Sequence, residues 1–188
     1  MNGSQFSYID SPRLLLRHFT DADLPTLLAY RNDSLVAQYQ SWESLSEAEG
    51  RAFIAEQQTA QPGVPGPGFQ FAIELKATEA HIGDCFLKLL DYDARQAEIG
   101  YTLARAYWGQ GYATEAVTAV LDYVFFTLGL HRVIATTDCI IAASIALFEQ
   151  IGMRREGHFL ENIWFKGKWG DEYLYAILKD EWLHKPGV

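Results

Sequence analysis

Trp108-Gly109-Gln110-Gly111-Tyr112-Ala113-Thr114-Glu115-Ala116 sets two glycines directly before a strong helical pattern. From Ala113 the apolar positions run Ala116, Val117, Val120, Leu121, Val124, Phe125 and Leu128, the spacing of one buried helix face. Gly129 falls where a left-handed C-terminal cap is expected. Upstream, Ala97–Leu103 reads as a strand. The order is strand, glycine loop, helix N-terminus. The first N–H groups of a helix lack intrahelical partners and carry the positive end of the helix dipole. Glycines let backbone approach a bulky anion, so the stretch suits a phosphate or pyrophosphate. A tight turn that needs glycine only for its φ angles is the alternative.

Working outward, Phe69–Leu75, His81–Leu89 and Ala97–Leu103 read as three strands, joined at Lys76–Ala80 and Leu90–Gln96. Short links favour antiparallel hairpins. Arg132–Asp138 is a strand after the helix, and a strand-helix-strand unit of this length implies a right-handed crossover with parallel pairing. Ala143–Ile151 is a short helix ending at Gly152. Arg154–Phe165 and Glu172–Leu178 are strands around a turn at Lys166–Gly170. Toward the N-terminus, Arg13–His18 reads as a strand and Thr20-Asp21-Ala22-Asp23 starts a helix to about Arg31. Ser34–Glu43, with Trp42, is ambiguous. Ser46-Glu47-Ala48-Glu49 is a capping box that opens a helix through about Gln58, with Ala52, Phe53 and Ile54 inward. Gln61–Gly68 cannot continue a helix and reads as a surface loop. The expected class is α+β, one mixed, mostly antiparallel sheet flanked by helices, with a parallel β-α-β unit at the glycine loop. One domain over residues 1–188 is expected.

The chain carries 24 acidic against 15 basic residues, a formal net charge of −9. That argues against nucleic acid as a partner. It accords with a cationic substrate, or with solubility alone. Cys85 and Cys139 lie far apart in strand-like runs and read as buried free thiols of a reducing compartment. The five histidines are scattered, with no HExxH and no Cys/His cluster, so no metal is expected. Met1–Asp10 shows no signal-peptide pattern, and no apolar run is long enough to span a bilayer. A cytoplasmic protein without membrane contact is expected.

Four blocks resemble the GNAT acetyltransferase superfamily, in its branch like the ribosomal-protein-alanine N-acetyltransferases (RimJ/RimL type). They are Glu98-Ile99-Gly100-Tyr101, Tyr107–Ala116, Leu128-Gly129-Leu130-His131-Arg132, and Ser144 with Phe148–Met153. Glu161–Leu178 is similar to that branch's C-terminal hairpin. The resemblance implies acetyl-CoA as donor, a primary amine as acceptor, with a protein N-terminus or a small amine as candidates, and a homodimer. The family's pyrophosphate loop falls on Trp108, Gly109, Gln110, Gly111, Tyr112 and Ala113, and the N–H groups of Gly109 to Thr114 would hold the anion. Trp108 stands where Arg or Gln is usual. Ile141 replaces the usual Asn three residues before Ser144, whose amide helps to fix the co-substrate. Phe148 replaces a Tyr that can protonate the departing thiolate, and Ser144 is the residue that the branch sets near the sulfur instead. No acyl-enzyme is expected.

Amine attack on a thioester needs a deprotonated nitrogen, and alkyl amines have pKa values near ~10. Glu98 and Glu161 are the candidate carboxylates. An ungapped placement from Ser144 puts the relatives' hairpin glutamate at Ile163, and two residues along a strand keep one face, so Glu161 is named. Each could instead be a structural or solvated acid. The N–H near Leu103 is the expected oxyanion donor. Trp42, Trp164, Phe165 and Trp169 are candidates for the acceptor side, or for packing. Arg105 could meet a CoA phosphate or only solvent; His131 reads as a helix-end charge or a packed residue. Two other readings stand: a CoA-binding or sensory protein on the same fold with little catalysis, and a nucleotide-binding β-α-β protein. The latter ranks last, because Thr114 holds the third fingerprint position and antiparallel strands precede the unit.

Overall fold

The computed structural model describes residues 6–38 and 44–184. Its elements, in chain order, are β1 (Tyr8–Asp10), β2 (Leu14–Arg17), α1 (Leu24–Arg31), α2 (Ser34–Ala37), α3 (Glu47–Thr59), β3 (Phe69–Leu75), β4 (Ala80–Leu90) and β5 (Asp93–Leu103), then α4 (Tyr112–Asp122), β6 (Arg132–Asp138), α5 (Ala142–Gln150), β7 (Arg154–Phe165), β8 (Lys168–Leu178) and α6 (Lys179–Leu183). The strands form one sheet in the order β1-β2-β3-β4-β5-β6-β8-β7. Every neighbouring pair is antiparallel except β5 and β6. This is the α+β architecture that the sequence led us to expect.

The two faces of the sheet differ because side chains alternate along each strand. On one face Cys85, Leu87, Ala97, Ile99, Val133 and Ala135 pack beneath α4, whose Ala116, Val117, Val120, Leu121, Val124 and Phe125 are all buried. The helical face read from the sequence is therefore the core face; Leu128 is half-buried. After α4 the chain takes one π turn, Tyr123–Thr127, before Gly129 at φ +69°. On the other face α1 and α3 cover β3 and part of β4, with Phe19, Leu24, Leu27, Tyr30, Ile54 and Ala72 in a second core. The remainder of that face, over β5, β6 and β8, carries no helix and forms the floor of a cavity.

Ser46 and Glu49 cap α3 reciprocally: Glu49 N donates to Ser46 Oγ and Ser46 N to Glu49 Oε2 at 2.8 Å. Of its three expected inward residues, Ile54 is buried and Phe53 half-buried, but Ala52 is exposed; Gly50 and Gln57 complete the inner face. Ser34–Ala37 is a short helix, capped by the Asp33 carboxylate accepting from Leu35 N at 2.9 Å. Trp42 lies outside the described residues. β1 was not legible, since its three residues gain strand character only by pairing with β2. The last hairpin turns on two residues, Lys166 and Gly167, with φ of +48° and +82°, so β8 begins at Lys168 rather than near Glu172. Two left-handed residues in sequence make the turn whose twist suits adjoining strands.

The candidate active site

β5 and β6 are hydrogen-bonded neighbours only where Gln96, Ala97 and Glu98 face Arg132, Val133 and Ile134. Beyond that the two strands part, and two cavities meet in the gap. One, of about 470 Å³, runs over the glycine loop and is lined by Leu103, Trp108, Gly109, Gly111 and Thr114. The other, of about 410 Å³, lies on the open face of the sheet. Tyr101, Thr102, Ile141 and Ser144 line both.

The loop is built as its glycines suggest. Gly109 and Gly111 have φ of +70° and +78°, a region that costs other residues about 1–2 kcal/mol. A Cβ added at Gly109 would meet no atom within 4 Å, which leaves room for a bulky group against the backbone. Gly111 is the N-cap of α4 without a side-chain cap, and the first backbone bond in the turn is Glu115 N to Gly111 O at 3.0 Å. The N–H groups of Tyr112, Ala113 and Thr114 precede it in the first turn and have no helical acceptor. Arg13 ties the loop to β2: its Nη1 donates to Gln110 O at 3.0 Å, its Nε to Glu115 Oε2 at 2.6 Å, and its guanidinium lies 4.4 Å above the Tyr112 ring. Together these N–H groups, this space and this dipole fit a pyrophosphate.

Trp108 is exposed, yet its indole N–H is engaged. Its Nε1 donates to the Leu103 carbonyl at 2.8 Å. Ala104 N donates to Ile82 O on β4, so strand alternation aims the N–H of Leu103 away from β4, into the gap. That is where an oxyanion donor is needed. Ile141 is the N-cap of α5 and supplies no capping bond; its aliphatic side chain lines both cavities. Phe148 is buried and meets Tyr101 edge-on, ring centroids 6.3 Å apart. Ser144 Oγ lies 3.1 Å from Tyr101 Oη.

The second cavity is acidic. Asp84, Glu98, Asp138 and Glu172 line it, with Arg31 the cationic residue among its walls. Asp84 is buried and committed, accepting from the Tyr30 hydroxyl and from Arg31 Nη2. Glu98 is different: burial holds its carboxyl above the usual range, Glu172 pushes the same way, and Lys88 pulls it down. Phe86, Phe165 and Ile163 give the cavity apolar walls.

Glu161 is not in this cavity. It is exposed, with φ +45°, inside a bulge where β7 takes four steps from Phe159 to Ile163 while β8 takes two from Glu172 to Gly170. The bulge breaks the alternation on which two-residue spacing depends. Ile163 does reach the cavity, and the hairpin glutamate found there is Glu172. Sequence reasoning missed it because it was read only as a strand start. Tyr101 was also missed, although it closes the Glu98–Tyr101 block. Trp164 and Trp169 are exposed and pair with each other across the hairpin, centroids 5.3 Å apart, so of the three described aromatics Phe165 alone lines the cavity. Arg105 pairs with Asp33 at 3.2 Å and lines neither cavity. Cys85 is buried, whereas Cys139 is only half-buried just past β6; both thiols are free and raised by burial. Among the described residues no group of three metal-ligating side chains comes together, and no helix is long and apolar enough to cross a membrane.

A mixed sheet whose parallel pair opens beside a glycine loop, with a second cavity across the gap, defines an acyltransferase architecture. Residues 13–154 match the family model described as an acetyltransferase (GNAT) domain, and the chain belongs to that family. It is 34% identical over 176 residues to the uncharacterized N-acetyltransferase YnaD of Bacillus subtilis, covering 93% of this chain and 99% of YnaD. A GNAT-family acetyltransferase structure from Bacillus anthracis superposes with a TM-score of 0.83 at 34% identity, over 93% of this chain and 99% of that one. The spermidine N(1)-acetyltransferase of Vibrio cholerae is 28% identical over 116 residues, 62% of this chain and 66% of that protein.

Proposed function

We propose that this chain is a single-domain, cytoplasmic N-acetyltransferase that moves an acetyl group from acetyl-CoA directly to a primary amine. The observation that carries the reading is the meeting of two cavities at Tyr101 and Ser144, one over the glycine loop and one acidic. The co-substrate supplies an activated acyl group on a thiol, a good leaving group. The backbone of Gly109 to Thr114 would hold its pyrophosphate, and Leu103 N–H would face the developing oxyanion. An amine arrives as a cation, which the carboxylates of the second cavity attract. Glu98, held above the usual range by burial, is the base that takes its proton. Ser144 stands beside the sulfur.

The acidic cavity favours an amine with more than one positive charge, and the relative that acetylates spermidine supports that choice. A protein N-terminus, the acceptor implied by a RimJ/RimL-like affiliation, and a homodimeric assembly belong to the same proposal. A second reading, a CoA-binding protein with little catalysis, draws on Ile141 and Phe148, which replace an amide and a phenol of the relatives.

The test is thermal melting with acetyl-CoA, CoA and NAD, followed by thiol release with spermidine and with an alanine-ended peptide. A ligand that binds only the folded state raises the midpoint. We expect a rise with acetyl-CoA and not with NAD, and thiol release that falls about 10²-fold or more in Glu98→Gln. A rise without turnover of any amine would favour the second reading. No rise would sink both.

A further inference from the structure

We infer that Tyr101 is a positioning residue that aims the Ser144 hydroxyl at the departing sulfur. The inference rests on the acetyl-transfer reading above and adds a residue to it. Tyr101 Oη and Ser144 Oγ are 3.1 Å apart, and both residues line both cavities, so the pair stands where donor and acceptor meet.

Either hydroxyl can donate in this bond; the phenol of Tyr101, the stronger acid, is taken as donor and Ser144 as acceptor. The burial that raises the phenol's pKa keeps that proton in place. A serine hydroxyl has one proton, which then points elsewhere. Tyr101 is the partner of that hydroxyl among the described residues, and the remaining direction is the cavity. The backbone keeps Ser144 in place: its N–H donates to Ile141 O at 3.1 Å in the first turn of α5. Tyr101 is fixed from two sides, by β5 pairing with Cys85 on β4 and by the buried Phe148 ring set edge-on against it. With phenylalanine at 148, the nearest phenol to Ser144 comes from the sheet.

The transfer balances without ionising either residue. The neutral amine nitrogen bonds to the acyl carbon. The C–S bond breaks with its electron pair on sulfur, and the proton shed by nitrogen makes up the thiol. Ser144 gives a hydrogen bond to the charge that develops on sulfur, and Tyr101 keeps that bond pointed.

The experiment compares wild type, Tyr101→Phe, Ser144→Ala and the double variant by thiol release, acetyl-CoA affinity and melting midpoint. We expect Tyr101→Phe to lower kcat about tenfold, with acetyl-CoA affinity unchanged within twofold and a midpoint close to wild type. The double variant should be no slower than Ser144→Ala, because Tyr101 acts only through that hydroxyl. An unchanged kcat in Tyr101→Phe, losses that multiply in the double variant, or a fall in affinity matching the fall in rate would each overturn the inference. If Tyr101→Phe does not fold, Ser144→Ala with normal kcat overturns it as well. Absence of turnover in the wild type would instead remove the acetyl-transfer reading itself.

Discussion

Trp108 Nε1 donates to the carbonyl of Leu103 at 2.8 Å, joining the start of the glycine loop to the end of β5. Trp108 therefore contributes as a brace. It holds the backbone whose N–H faces the gap. Trp108→Phe keeps the ring and removes the donor. The loss should cost about 1 kcal/mol of stability and weaken acetyl-CoA binding up to roughly tenfold, measured by titration calorimetry.

Glu98 and its neighbours give a test of opposite sign. Burial raises the Glu98 carboxyl, the negative charge of Glu172 raises it further, and Lys88 lowers it. A base works when deprotonated, so activity falls on the acid side of that titration. Glu172→Gln removes a like charge and should move the acid limb of kcat/KM to lower pH. Lys88→Met removes an opposite charge and should move it to higher pH. Limbs that stay in place in both variants would take Glu98 out of the role of base.

Ile141 begins α5 without a capping bond. Asparagine is among the best N-cap residues and isoleucine among the poorest, a difference of about 0.5–2 kcal/mol. At about 2–4 °C per kcal/mol for a chain of this size, Ile141→Asn should therefore raise the melting midpoint by roughly 1–8 °C. Because the side chain lines both cavities, the new amide should also tighten acetyl-CoA binding. Calorimetry and melting read the two effects separately.

His81 is buried between the sheet and α1 and is held below the ordinary histidine range, chiefly by burial, against the pull of Asp23 and Asp84. The unfolded chain then binds the proton first, below a pH of about 6.5. Stability is complete above that value and declines as pH falls toward the folded pKa. His81→Gln can still donate to Gly83 O, the present partner of His81 Nε2 at 2.9 Å. Urea unfolding at pH 7.5 and 5.5 should show a larger loss in the wild type than in the variant.

The sequence by itself determined what depends on neighbours in the chain. The capping box at Ser46, the buried face from Ala116 to Phe125, the hairpin strands and the glycine loop each follow from spacing over a few residues, and all appear in the fold. The parallel step between β5 and β6 followed too, since a helix of that length forces a crossover. Three matters belonged to the tertiary structure alone. The bulge in β7 moved Glu161 out and left Glu172 in the cavity, because register depends on a partner strand. The splay of β5 from β6 brought Tyr101 to Ser144, residues 43 positions apart. The acidity of the second cavity arose from carboxylates on β4, β5, β6 and β8 meeting around one cavity. Alternation along one strand is local, whereas which strands lie side by side, and where no helix covers them, is decided only when the whole sheet closes on its core.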